Sequence, residues 1–206
     1  LTYSQSFFDG KMQNIFFAKD YVNHPNIRQT DQSTVTGSDK VQGSTTKNYF
    51  GYGTGLRYMF FDPLAVKVSY EHSVRLPIAR ELLGNGTTIY ANVALKPEKS
   101  NNVNLALFGT WHPAGRHTIY YEANGFLRYV DNYIQTSVIE KEGMMQFVND
   151  PAVHIKGVEG EIRYDWDGRL QLMANVSYQD ARDQQKYKED GKPSATYDNH
   201  VPNRPW

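Results

Sequence analysis

The sequence predicts an all-β chain, an antiparallel up-and-down meander of about eight strands. Three observations predict it. Apolar and polar residues alternate with period two in stretch after stretch, and one face of five successive strands carries no full charge. Connections alternate between tight turns and long polar segments. Aromatic residues gather at the strand ends: Phe60, Phe61, Trp111, Tyr164 and Trp166 precede short turns, while Phe50, Tyr52, Tyr70, Tyr129 and Tyr178 lie near the opposite ends.

Residues 1–8 read as a strand remnant, and Asp9-Gly10 is a tight hairpin signal. Residues 11–21 form a strand with Ile15, Phe17 and Tyr21 on one face, and the Ser/Thr/Asp/Gln-rich stretch from Asn23 to Lys47 reads as a long loop. In residues 49–61, Phe50, Tyr52, Leu56, Tyr58 and Phe60 oppose Gly51, Gly53, Gly55 and Arg57. After the Asp62-Pro63 turn, Leu64, Val66, Val68, Tyr70, His72 and Val74 alternate with Ala65, Lys67, Ser69, Glu71, Ser73 and Arg75. Pro77 ends this strand, because proline has no N–H for the ladder. A long connection follows to Glu98. Its apolar content, Ile78, Leu82, Leu83, Ile89, Tyr90, Val93 and Leu95, is too high for a free loop. We expect it to fold inward, with Arg75, Glu81 and Glu98 tying its ends.

A strand starting near Asn102 carries Val103, Leu105, Leu107 and Trp111 on one face. His112–Gly115 is a short turn, and the next strand, from Thr118 to about Ile134, sets Ile119, Tyr121, Leu127 and Tyr129 against Tyr120, Glu122, Asn124 and Arg128. Residues 135–153 read as a loop through Gly143-Met144-Met145. Val158, Ile162, Tyr164 and Trp166 then oppose Glu159, Glu161 and Arg163. Asp167-Gly168 is a tight turn, and Leu170, Leu172, Ala174, Val176 and Tyr178 oppose Gln171, Asn175, Ser177 and Gln179. A polar loop, 183–200, closes the chain. No amphipathic helix pattern is present.

Composition narrows the function classes. The net charge is zero, with 22 basic and 22 acidic residues, so no basic surface points to nucleic acid. The absence of cysteine excludes disulfides, thiolate metal sites and cysteine nucleophiles. Mean hydropathy is −0.64, and no apolar run approaches the roughly 18 residues of a membrane helix. A transmembrane barrel needs no such run, since only alternate residues meet lipid, and short turns at one end with long loops at the other are its habit. Tyr52 to Phe60 spans about 26 Å at roughly 3.3 Å per residue. With the usual tilt of about 40° this rises about 20 Å, inside an apolar band about 25 Å tall between two aromatic girdles. A soluble all-β module with an apolar core shows the same alternation. The chain starts at Leu1 and stops at Trp206 after a proline-rich lead-in, so an interior piece of a longer protein is expected.

Catalytic and metal signals are sparse. Glu159 and Glu161 share a strand face and form a conceivable glycosidase-like pair, but with Arg163 alongside they read as an ordinary polar face. The six histidines are dispersed without ligand spacing. Met144-Met145 offers soft ligands for haem or copper, against a plain apolar loop tip. Asn85-Gly-Thr87 and Asn175-Val-Ser177 match the glycosylation sequon. No phosphate loop, dinucleotide glycine pattern or nucleophile elbow is present, and no cofactor or metal is assigned.

Arg75-x-Pro77, then Glu81-Leu82, then Asn92 shortly before Leu95-Lys96-Pro97-Glu98-x-Ser100 resembles the barrel of TonB-dependent outer-membrane receptors. Gly157-Val-Glu159-Gly-Glu161 resembles that family's strand after a long loop, and Val201-Pro-Asn-Arg-Pro205 its lead-in to a further strand. The resemblance runs from Tyr49 to Trp206. It departs at Ala91-Asn92-Val93, where Gly-Asn-Pro is more usual. It implies that residues 1–206 are a single region of a larger barrel of 22 strands, with an N-terminal plug and the remaining strands outside this chain. It also implies the bacterial outer membrane, energised uptake of a nutrient such as a siderophore, glycan or other large solute, and no enzyme activity. The implied partners are the TonB energy-transducing protein through the N-terminal part, outer-membrane lipid, the extracellular substrate and, as a further class, a surface lipoprotein. The runner-up is a soluble all-β carbohydrate-binding module. Substrate contacts are expected in loops 135–153 and 183–200, at Met144, Met145, Phe147, Tyr187 and Tyr197, where apolar and aromatic groups sit among polar ones.

Overall fold

The computed structural model of the chain describes residues 1–23, 46–139, 143–187 and 191–201. The long loop expected between Asn23 and Lys47 and most of the Val201–Pro205 lead-in lie outside the described residues. Among the described residues nine strands form one sheet: β1 (Thr2–Phe7), β2 (Met12–Asn23), β3 (Lys47–Phe61), β4 (Leu64–Arg75), β5 (Ile89–Tyr90), β6 (Glu98–Trp111), β7 (His117–Ile139), β8 (Met144–Trp166) and β9 (Leu170–Asp183). All but β5 pair antiparallel with their neighbours in chain order, which is the expected eight-strand meander. Among the described residues β1 and β9 do not pair with each other, so the sheet is open, as a section of a larger barrel must be.

The register aligns the alternation of every strand. Leu56, Val68, Leu105 and Gly125 stand opposite one another across β3, β4, β6 and β7, and Tyr58, Val66, Leu107 and Ala123 form the next row. Across β7, β8 and β9 the same face carries Tyr121, Ile162 and Ala174, then Ile119, Tyr164 and Leu172. A one-residue slip would mix apolar and charged side chains on each face, so the pattern itself pins the pairing. The opposite face carries Arg57 beside Lys67, Glu71, Glu122 beside Glu161, and Arg163. Across the middle strands the apolar face is the more open one: Leu105 is 51% exposed and Leu107 44%, whereas Gly53, Ala65, Ala106 and Phe126 on the charged face are buried; β9, at the edge, is exposed on both faces.

Two strand glycines are covered by aromatic rings directly across the ladder. Phe17 lies over Gly53 and Phe126 over Gly157, where a Cβ would collide with the ring. An aromatic over a glycine fills the gap the missing side chain leaves and fixes register. The tight turns behave as their residues require. Asp167 and Gly168 both take positive φ, 51° and 69°, the backbone that suits a two-residue hairpin.

Three expectations change. Residues 135–153 are not a loop: β7 runs to Ile139 and β8 starts at Met144. The reason is visible in Ile134, Thr136 and Val138 facing Asn149, Phe147 and Met145, a paired β pattern in which polar residues masked the alternation. The connection between β4 and β6, where no helix pattern is legible, does hold one. It contains a one-turn helix, α1 (Ala79–Leu83), and β5, which pairs parallel with β8 through Ile89↔Met145 and Tyr90↔Gln146. The helix is too short to show periodicity. It forms because the Glu81 carboxylate accepts the Ile78 N–H at 2.9 Å and so caps the turn. Finally, β6 begins at Glu98, earlier than expected, because Glu98 already pairs with Arg75.

Candidate functional site

The long-connection end of the sheet is built around Arg75, the last residue of β4. Its Nε and Nη2 donate to the Glu98 carboxylate at 2.6 and 2.9 Å, and its Nη1 donates to Glu81 at 2.9 and 3.1 Å. One planar guanidinium thus joins both ends of the β4–β6 connection, a geometry that lysine could not supply. Glu98 adds a third bond, accepting the Ile134 N–H at 2.6 Å. Glu98, followed by Glu81, favours the charged guanidinium and raises the Arg75 pKa further. The expected tie between Arg75, Glu81 and Glu98 is therefore formed, and Glu81 is buried by it.

The rest of the connection is docked on the upper β7–β8 hairpin. Asn85 opens a tight loop by accepting from the N–H groups of Thr87, Thr88 and Ile89 at 3.1, 2.9 and 2.8 Å. The Met145 N–H then donates to the Thr88 carbonyl, and Gln146 Nε2 to that of Ala91. Asn92 spans the gap, its Nδ2 donating to the Phe147 carbonyl at 2.8 Å while its Oδ1 accepts the Ala94 N–H. Asn149 locks the far end: its Oδ1 accepts the Lys96 N–H, and its Nδ2 donates to the carbonyls of Lys96 and Asn132. Ile89 and Leu95 are buried beneath. Leu82 and Pro97 are half-buried, and Leu82 takes the Asn92 N–H on its carbonyl at 2.8 Å. Pro77 lies just past the end of β4, where the ladder stops.

The expected substrate residues fall in two groups at this end. Met144, Met145 and Phe147 lie on β8 at the hairpin tip and not in a loop. Met145 is exposed, with Val138 opposite it. Tyr187 and Tyr197 lie beyond β9, in a compact turn where the Ser194 N–H donates to the Lys186 carbonyl at 2.9 Å and Lys186 Nζ sits 5.6 Å from the Tyr197 ring centre. No hydrogen bond or ring contact joins the two groups among the described residues. The chain then returns along β9, with the Val201 N–H on the Ala181 carbonyl, and buries Val201 against Val153, Ala181 and Phe126.

Gly157 and Glu159 lie lower, on the charged face. Gly157 makes room for Phe126, Glu159 receives the Asn124 amide at 3.4 Å, and Glu161 pairs with Arg163. Arginine neutralises one member of this carboxylate pair. Among the described residues no group of three or more His, Asp or Glu is placed to hold a metal ion. Sequence reasoning missed Asn149, Asn85 and the buried Asp150 and Asp183. The signal for the first and third was Asn149-Asp150, a polar pair just before Pro151.

A family model described as TonB dependent receptor-like, beta-barrel matches residues 12–206. Among solved structures, a copper transporter, OprC, superposes with a TM-score of 0.59 at 20% identity over 84% of this chain. A double mutant of the Serratia marcescens hemophore receptor HasR, in complex with its hemophore HasA and heme, gives 0.54 at 16% over 84%. The chain spans 26% and 32% of the lengths of those two proteins. No curated protein matches the chain closely enough to count as a relative.

Proposed function

Because this chain belongs to the TonB-dependent receptor-like β-barrel family, we propose that it forms part of the wall and mouth of an outer-membrane receptor for energised nutrient uptake. Members of that family are outer-membrane transport receptors. The observation that carries the reading is the placement of exposure. Across the middle of β3, β4 and β6 the uncharged side chains, Leu56, Val68, Leu105 and Leu107, are exposed while Gly53, Ala65 and Ala106 on the charged face are buried, the reverse of a soluble sheet and the arrangement of a lipid-facing barrel wall. Its lipid would meet Val66, Val68, Leu105, Leu107, Ile162, Leu172 and Val176; its lumen would be lined by Arg57, Lys67, Glu71, Glu161 and Arg163. The energy-transducing partner would act through parts of the protein outside this chain. The cargo is a siderophore, glycan or other large solute.

The short turns at Asp62, His112 and Asp167 are too small to form a cargo site, so the opposite end takes that role. Met144, Met145 and Phe147 on the braced hairpin, with Tyr187 and Tyr197 in the turn after β9, supply apolar contacts among polar groups. The turn offers a clean test, because Lys186 and Ser194 already stand within hydrogen-bond reach. Replacing residues 187–193 of the full-length receptor by Asn-Gly should leave surface abundance unchanged and lower substrate-dependent growth. Full growth at normal abundance, for this variant and for Met145→Ser with Phe147→Ser, would remove these residues from the site.

A further inference from the structure

The apolar face of β8 and β9 ends in charge. Val158, Gly160 and Ile162 share a face of β8 with Lys156, and Val176 and Tyr178 share the matching face of β9 with Asp180 and Arg182. Lys156 lies ten residues from Trp166, and Asp180 ten from Leu170, the same count that separates Asn101 from Trp111 on β6. At roughly 3.3 Å per residue and a strand tilt of about 40° this is a rise of about 25 Å, the full height of the apolar band. Lys156, Asp180 and Arg182 therefore stand where hydrocarbon gives way to lipid headgroups. They are built as a unit. The Asp180 side chain is enclosed, only 4% exposed, and its Oδ2 accepts from Arg182 Nε at 2.8 Å and meets Lys156 Nζ at 3.6 Å. The two cations lie outside it, 66% exposed for Lys156 and 38% for Arg182. Beside Arg182 in register stand His154 and then Tyr129, whose rings meet edge-on at 4.5 Å.

A cation at the rim of a lipid-facing strand is unfavourable unless its stem lies along the apolar surface and its head reaches polar groups. Water meets that need for a lone lysine. Here a second cation is fixed beside the first with one buried carboxylate between them, so the outer surface of the unit is positive. Of the other charges nearby, Lys99 and Asp131 stand opposite each other on the same face and offset. Asp198 of the returning chain reaches Arg182 Nη1 at 3.5 Å, a looser contact than the one with Asp180, and leaves Lys156 with only its long approach to Asp180. We propose that Lys156 and Arg182 bind the phosphate of a lipid headgroup and so fasten an anionic lipid to the outside of the barrel at β8 and β9. Arginine offers a planar fork and lysine a mobile point charge, a pair that suits a tetrahedral oxyanion. The apolar column below, Val158, Ile162 and Val176, takes the acyl chains of the same lipid. This continuity with the lipid-facing wall is what favours a lipid over a free phosphate ion, and the site rests on that reading of the wall.

The test uses the full-length receptor in detergent, titrated with diphosphorylated lipid A and with the same lipid stripped of its phosphates, and read by native mass spectrometry. The native receptor should retain the phosphorylated lipid at least about tenfold more tightly, the weight of two basic side chains at an anionic surface. Lys156→Gln with Arg182→Gln should abolish that preference, and Lys156→Gln alone, which leaves the pair of Asp180 with Arg182 intact, should lose part of it. Arg116→Gln with Arg169→Gln, at the short turns, should keep it. Inorganic phosphate in large excess should leave the lipid bound; displacement by it would make this an ion site and overturn the lipid assignment. A preference that survives the loss of both cations overturns the site. So does equal retention of the two lipids by the native receptor, a result that needs no variant. Heat-resistant migration in SDS reports the assembled barrel throughout. An assembled receptor without the preference sinks the headgroup site alone, whereas a receptor that assembles equally well with Val68→Arg sinks the lipid-facing wall beneath it.

Discussion

Replacing Val68 by arginine tests the lipid-facing assignment at its most sensitive point. On the apolar face of β6, Trp111 near the short turn and Asn101 near the long connections are ten residues apart, about 33 Å at roughly 3.3 Å per residue. A strand tilt of about 40° reduces this to about 25 Å, the height of the apolar band of such barrels. Leu105 and Leu107 sit at the middle, and Val68 stands directly opposite Leu105. Val68 is 44% exposed on that face, so an arginine there would enter the middle of the hydrocarbon, at a cost of about 2–4 kcal/mol. That corresponds to a factor of roughly 30 to 900 in the folding equilibrium. Ser69, one residue along, points to the polar face, where Asn104 Nδ2 donates to its hydroxyl at 3.3 Å. Arginine there meets water and other polar groups and costs little. The assay is the surface abundance of full-length receptor, with heat-resistant migration in SDS as the check on folding. Val68→Arg should lose most of both and Ser69→Arg should keep them. Equal tolerance at the two positions would refute the facing of the whole sheet, because the register ties every other row to this one.

Two further outcomes follow from the site. Glu98→Ala strips Arg75 of its two-bond partner and leaves the Ile134 N–H unsatisfied, a loss of about 1.5–3 kcal/mol; hydrogen exchange at the Met145 amide should quicken by at least about tenfold, and an unchanged rate would mean that Asn92 and Asn149 hold the connection without Arg75. Asp150 makes stability pH-dependent. Its folded-state pKa lies above the unfolded value, at about 6 against 3.8, so the folded form binds the proton more tightly. Stability should therefore rise as pH falls from above 6 toward 4 and level off below that, by at most about 3 kcal/mol. Thermal melts of the native receptor and Asp150→Asn across that window should differ in slope, and parallel profiles would remove Asp150 as the cause.

Alternation alone settled the meander. Val66, Val68, Leu105, Leu107, Ile162 and Leu172 keep period two, so which residues share a face was legible before any coordinates, whereas alternation excludes only one-residue slips and the register itself comes from the paired strands. Arg75, Glu81 and Glu98 were legible too, since charges flanking an apolar connection have few places to go. What only the tertiary structure decided lies above the band. There the chain faces water and other parts of itself on both sides, and nothing enforces alternation. The strands of the upper β7–β8 hairpin therefore read as a loop, although Thr136 pairs with Phe147 and Val138 with Met145. The parallel pairing of Ile89 and Tyr90 with β8 joins residues more than fifty positions apart, and two residues leave no periodic trace. Asn92 and Asn149 look like ordinary turn residues until the carbonyls of Phe147 and Lys96 are brought within 3 Å of them. The burial of Asp183 is likewise a product of chain return, because it exists only once Asp198 and Asn199 bond its backbone and Val201 folds back over Val153 and Ala181.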